Sequence, residues 1–190
     1  MDRLRTRLTR RSVVLGGVGA AATVCIGCGP ERPDSVSTTE GTGTAGLLDL
    51  GELPALLEQM AATGRVYLAE ARGYLVAYPA DKVAAAKEVY PASLHESLDL
   101  GVLLLSQKCP HLGCRVPECN SSGWFECPCH LGRFSGVGEF RDGLATRGMD
   151  LIPLVALPGG RVGADLDRIE KGLDKAVDVT GQEAAGDHCV

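Results

Sequence analysis

Aromatic side chains make up only 4% of this chain, and with 25 glycines among 190 residues the scarcity points to a turn-rich fold. Apolar residues still reach 45%, so a packed core is feasible, but the length allows one ordinary domain with tails and not two full cores. No segment repeats, which leaves out stacked-repeat architectures. There is no basic stripe, and the net charge is −5. Arg3, Arg5, Arg7, Arg10 and Arg11 face one acid, Asp2, in residues 1–11, a local charge of +4 that leaves −9 on the rest. An acidic body repels phosphate, which sets nucleic acid aside as a partner. Beyond the N-terminus the lysines and arginines are scattered, which reads as ordinary solvated surface.

The arginines precede an uncharged run from Ser12 to Gly29, long enough to span a membrane although its Gly and Ala content makes it weakly hydrophobic. A basic head before a modest apolar core is the pattern of a signal sequence. The stretch Thr9-Arg10-Arg11-Ser12-Val13-Val14-Leu15 resembles the twin-arginine export signal, with Val13 where Phe is common. Retained, residues 1–29 would be a single anchor with the following domain on the extracytoplasmic side of the cell membrane. Alternatively, Ile26-Gly27-Cys28 resembles the end of a lipoprotein cleavage site with Cys28 acylated, although Cys25 stands where Leu is usual. Cleavage to a soluble form ranks third.

Residues 30–46, rich in Pro, Ser, Thr and Gly, read as a flexible linker. The folded domain is read over 47–164. Within it Glu52–Ala62 has helical spacing with Pro54 in the first turn, and Arg65–Glu70 and Gly73–Tyr78 read as strands. Asp81–Val89 reads as a short helix, and Gly101–Ser106 as a buried strand leading to Cys109. Leu151–Leu157 and Arg161–Ala164 close the domain around Pro158-Gly159-Gly160. Short strands with Gly-rich connections favour a small all-β, antiparallel assembly. In the tail, 165–190, the spacing of Leu166, Ile169, Leu173 and Val177 fits one face of a surface helix ahead of a polar, disordered end.

Eight cysteines is a high count for this length. Cys109, Cys114, Cys119, Cys127 and Cys129 crowd together, which signals metal, disulfide or both. Two clusters carry the chemistry: Cys109-Pro110-His111-Leu112-Gly113-Cys114, and Cys127-Pro128-Cys129-His130-Leu131-Gly132-Arg133-Phe134. Each offers one thiolate and one imidazole. A tetrahedral zinc would accept two Cys and two His, but usually draws paired Cys from one element and paired His from another. A two-iron cluster with two Cys on one iron and two His on the other suits mixed loops better. The leftover pair, Cys114 and Cys129, sits at matching places in the two loops, where a disulfide could pin them, and in an exported protein such a bond persists. Cys189 is expected as a free thiol, with pairing to Cys119 the alternative. His95 reads as a surface residue and Trp124-Phe125 as core packing.

These paired motifs resemble the Rieske proteins of quinol-oxidising, cytochrome bc-type complexes, in an actinobacterial style, over about Ser106 to Met149. The resemblance implies an antiparallel β domain with a small cluster-binding subdomain, holding one [2Fe–2S] cluster. Carried over, Cys109 and Cys127 would bind one iron and His111 and His130 the exposed one. Cys114 and Cys129 would form the family's disulfide, and Leu112 would lie at the face that docks quinol or cytochrome. The implied function is one-electron transfer from quinol, menaquinol included, to a cytochrome, with cytochrome b-type and c-type subunits as partners. Export of an already folded protein suits a chain that must receive its cluster first. The alternatives are a small Rieske subunit of another exported, arsenite-oxidase-like oxidoreductase, and a structural zinc or disulfide module. In each electron-transfer case the chain is one subunit of an oxidoreductase and not a complete enzyme.

Two departures from the family pattern stand out. Respiratory members commonly carry Gly-Ser-x-Tyr where this chain has Leu131-Gly132-Arg133-Phe134, so two hydroxyls that hydrogen-bond to sulfur are absent, which predicts a lower potential. The family's Pro-containing loop is represented by Asp142-Gly143-Leu144-Ala145-Thr146, without proline.

Overall fold

The computed structural model describes residues 46–190. The signal, the anchor, the linker up to residue 45 and the lipidation candidate Cys28 lie outside them. Among the described residues no helix is long and apolar enough to cross a membrane.

Strand β1 (Leu47–Glu52) leads directly into helix α1 (Leu53–Thr63). The helix forms because Leu56 and Met60 fall on one face and are buried, while Pro54 sits in the first turn where its missing N–H costs nothing. Gly64, at φ +81°, ends it and donates to the Met60 carbonyl. The hairpin β2 (Arg65–Leu68) and β3 (Gly73–Ala77) follows. After a 3₁₀ turn come α2 (Val83–Val89), then the short α3 (His95–Asp99) and β4 (Val102–Ser106).

The run Val102-Leu103-Leu104-Leu105 is apolar throughout because both of its faces are covered. Successive side chains of a strand point to opposite sides. Leu103 and Leu105 join Tyr74 and Val76 in one core with Ala86, Leu94, Leu98, Phe125 and Phe134. Val102 and Leu104 join Leu75 in a second with Leu56, Met60, Leu154 and Val162. Each of Leu103, Leu104 and Leu105 is 0% exposed, which contributes roughly 2 kcal/mol apiece.

The segment read as one closing strand is two. β8 (Leu151–Ile152) pairs with β4, and β9 (Leu154–Leu157) pairs with β10 (Arg161–Asp165) in another sheet. Pro153, with no N–H to give a ladder, marks the crossing between them. The sheets are therefore β1-β10-β9, β2-β3-β4-β8, and a third made of β5 (Phe125–Cys127), β6 (Gly132–Phe134) and β7 (Phe140–Asp142), all antiparallel. The third sheet lies in sequence between β4 and β8, as an insert. Its base is closed where Ser106 N–H donates to the Asp150 carbonyl at 2.7 Å.

The tail corrects the reading of a surface helix ending in disorder. No helix forms in 166–190. The chain runs instead along the insert, where its backbone finds partners: Glu170 pairs with Leu151, Asp174 with Arg147, and Gly148 N–H donates to the Leu173 carbonyl. Leu173 is buried, while Ile169 from the supposed apolar face is 54% exposed. The end of the chain is also fixed. Cys189 forms a disulfide with Cys119, which corrects the expectation of a free thiol.

Candidate metal centre

Two loops at the end of the insert carry the predicted donors. The first, 107–116, is a tight lasso: Cys109 N–H donates to the Cys114 carbonyl and Gly113 N–H to the Cys109 carbonyl. Gly113, at φ +81°, supplies the turn. The second is the β5–β6 hairpin, in which Cys127 lies across the ladder from Gly132. Leu131 turns it in the left-handed region, at φ 54°. A leucine is strained there by about 1 kcal/mol or more, yet its side chain is 56% exposed at the tip.

A third loop packs on the second. A Cβ at Gly143 would come within 2.6 Å of the Leu131 carbonyl oxygen and 2.7 Å of Gly132 Cα, and its φ is +98°. The loop without proline thus sits backbone to backbone against the second ligand loop. Cys114 and Cys129 form a disulfide that ties the first loop to the second.

Cys109 and Cys127 are the free cysteines among the described residues, and both are buried. Burial pushes the Cys109 thiol up; the neighbouring Cys127 thiol acts in the same sense, while the N–H groups of His111 and Leu112 favour the thiolate. On the outer side His111 is half-buried and His130 exposed, with ring centroids 4.7 Å apart and planes edge to face at 81°. Exposed leucines follow both histidines in the chain, Leu112 (71%) and Leu131, and Leu144 (62%) follows Gly143 in the loop packed on the second. Arg147, held by a two-pronged ion pair to Asp150 at 2.8 and 2.9 Å, lines a cleft of about 320 Å³ with Cys109 and His111.

The donor set fits a two-iron cluster. Sulfur donors lie inside and nitrogen donors outside, and the other cysteines are withdrawn by disulfides. The compact sets of ligating atoms, Cys114–Cys127–Cys129 and Cys119–Glu126–Cys189, each contain a disulfide, which has no thiolate to give a single zinc ion.

Sequence reasoning gave no role to Glu126 or Arg133 here. Glu126 is buried beside Cys127, and its carboxylate accepts hydrogen bonds from Ser122 Oγ (2.6 Å), Cys189 N–H (2.7 Å) and Val190 N–H (3.0 Å), with His188 Nδ1 at 2.7 Å. Burial opposes its ionisation, yet these donors hold the carboxyl below the usual range. Arg133 donates to the Val190 carbonyl. Only an unpartnered acid in a strand could have signalled this latch. His95 lies away from these loops, its ring against the Tyr90 carbonyl.

Residues with this arrangement define a small iron–sulfur electron carrier. Residues 83–153 match the Rieske [2Fe-2S] domain family. The chain carries a Rieske [2Fe–2S] domain, and that domain binds a [2Fe–2S] cluster. The chain is 36% identical over 87 residues to the carotenoid phi-ring synthase of Chlorobaculum tepidum, a match covering 45% of this chain and 13% of that protein. Among solved structures it is similar to the plasma membrane Rieske protein PetC3 of Synechocystis PCC 6803, at 18% identity and a TM-score of 0.40 over 62% of this chain and 97% of that one. It is also similar to the soluble domain of Rieske protein II (soxF) of Sulfolobus acidocaldarius, at 18% identity and a TM-score of 0.43 over 65% of this chain and 80% of that one.

Proposed function

We propose that this Rieske-type electron carrier passes electrons from quinol to a cytochrome, as a subunit of a cytochrome bc-type complex, tethered to the extracytoplasmic face of the cell membrane by its N-terminal segment. Cys109 and Cys127 would hold the inner iron and His111 and His130 the outer one. The observation that carries this reading is polarity across the two loops: buried thiols at Cys109 and Cys127, and outside them the imidazoles with the exposed Leu112 and Leu131 beside them in the chain. Bound, the cluster takes up and releases one electron at a time. The chain's residues do the rest. The His111 and His130 imidazoles are the polar groups on the outer side, available to hydrogen-bond a quinol hydroxyl. Leu112, Leu131 and Leu144 offer an apolar face to a quinol ring, and the Cys114–Cys129 disulfide keeps the two loops in register. The test is EPR of the dithionite-reduced protein with iron and sulfide assay, followed by stopped-flow mixing with menaquinol. Mixed nitrogen and sulfur ligation lost in His111→Cys and His130→Cys, with menaquinol oxidised by the parent, is the expected result. All-thiolate spectra in the parent, or a centre that menaquinol never reduces, would reject it.

A further inference from the structure

Scattered in sequence, Arg72, Lys108 and Arg115 gather in the fold. They rim a cleft of about 390 Å³ whose apolar lining comes from Ala71, Ile152 and Ile169, and no carboxylate lines it. Arg65, Lys87, Arg133, Arg141, Arg147, Arg161 and Arg168 each pair with an acid, whereas Arg72, Lys82, Lys108, Arg115, Lys171 and Lys175 pair with none among the described residues, and three of these six meet at this one cleft. In a chain with 24 acids and 19 bases, three cations left free together make a local reversal of sign.

The three are held in place by unrelated contacts. Arg72 turns the β2–β3 hairpin at φ 49°, and its carbonyl accepts from Gln107 N–H at 2.9 Å. The Arg115 guanidinium lies over the Tyr67 ring, 5.2 Å from its centroid, and the Tyr67 hydroxyl donates to Gln107 Oε1 at 3.0 Å. The Lys108 stem lies across Gly113, so closely that a Cβ there would meet its Cε at 2.9 Å. Lys108 and Gly113 also line the cleft formed by Cys109, Pro110 and His111, so the basic rim is continuous with the first ligand loop.

We propose that Arg72, Lys108 and Arg115 form the recognition surface for the electron acceptor, a redox protein that presents carboxylates around the exposed edge of its own cofactor. This rests on the reading above that the chain delivers electrons to a protein, and names that protein's chemistry. Carboxylates seated on the three cations bring the acceptor's cofactor edge to His111 and Leu112. An anionic membrane seated there would cover the same loop with lipid, which accepts no electron, and that is why a protein is the better occupant. Complementary charge of this kind raises encounter rates tenfold or more at low salt and loses its effect as salt is added.

The test uses the cluster-loaded protein, reduced with dithionite and mixed in a stopped-flow instrument with an acidic or a basic c-type cytochrome over a range of ionic strength. The acidic cytochrome should be reduced faster at low salt, with a rate that falls as salt rises. Combined Arg72→Gln, Lys108→Gln and Arg115→Gln should lower that rate about tenfold and flatten its salt dependence. A control carrying the same change of net charge elsewhere, Lys82→Gln, Lys87→Gln and Arg161→Gln, should not. Equal salt dependence in parent and triple variant, or equal loss in the control, would overturn the proposal. So would a triple variant with unchanged electron transfer that no longer binds vesicles of phosphatidylcholine and phosphatidylglycerol, which would assign the cations to lipid. Dithionite supplies the electrons, so a protein that reduces the acidic cytochrome as described but cannot oxidise menaquinol loses the quinol reading and keeps this surface.

Discussion

Restoring the two missing hydroxyls should raise the reduction potential. Gly132 lies opposite Cys127 in the β5–β6 ladder. A Cβ added there meets Cys127 Cβ at 3.6 Å and the Phe134 ring at 3.6 and 3.7 Å, ordinary contact, and the backbone is not in the left-handed region. Serine therefore fits without strain, and its hydroxyl is one bond from that Cβ, close to the Cys127 sulfur. A hydrogen bond to a charged group is worth about 1.5–3 kcal/mol. If about 1 kcal/mol of it is gained only when the centre takes an electron, the one-electron potential rises by about 40 mV. Phe134→Tyr should shift the potential in the same direction by a smaller amount, because Phe134 is 0% exposed and packs edge-on against Phe140, so its new hydroxyl must make room. Protein-film voltammetry of Gly132→Ser, Phe134→Tyr and the parent measures the shifts. Both variants folded, with parental EPR spectra and unmoved potentials, would refute the reasoning.

Breaking the Cys119–Cys189 bond, which closes 70 residues, should cost about 2–4 kcal/mol in Cys119→Ser or Cys189→Ser, read from urea unfolding of oxidised protein. Gly143→Ala should cost about 1–3 kcal/mol from its positive φ alone, and more from its contact with Leu131, with a lower melting temperature and a perturbed EPR signal. The Asp178 carboxyl is held below its ordinary range: burial works against this, but the Gly181 N–H and the Arg141 guanidinium, 3.1 Å away, outweigh it. A depressed carboxyl stabilises the fold above its unfolded pKa of about 3.9 and loses that stabilisation as pH falls through the lower folded value. Unfolding followed by circular dichroism from pH 5 downwards should show this acid limb, and Asp178→Asn should flatten it.

The grouping of Cys109, His111, Cys127 and His130 was legible because these residues are local. Cys109 and His111 are two apart, Cys127 and His130 three, and only metal chemistry asks for such mixed pairs twice. The strand ahead of Cys109 was legible because Val102–Leu105 needs apolar partners on both faces. What escaped was set at long range. The bond of Cys119 to Cys189 was only the alternative to a free thiol because spacing does not favour it, and the grip of Glu126 on residues 188–190 leaves no trace at all. The tail was misread because Leu166, Ile169, Leu173 and Val177 recur at helical intervals, while backbone partners on the insert outbid the helix for the same amides. Helix α3, five residues long, is too short for periodicity to show.

The chain departs for the insert and comes back at neighbouring points, Ser106 and Asp150, as a removable cassette would. The shared core forbids that removal. Leu103 and Leu105 pack with Phe125 and Phe134 across the junction, and the tail is stitched along the outside. Excising residues 107–149 would strip one side of the central sheet, and grafting them onto another scaffold would need a host that offers the same leucines. A hinge has no place at this junction. On the proposed function, a centre that moves between partners carries the body of the domain with it.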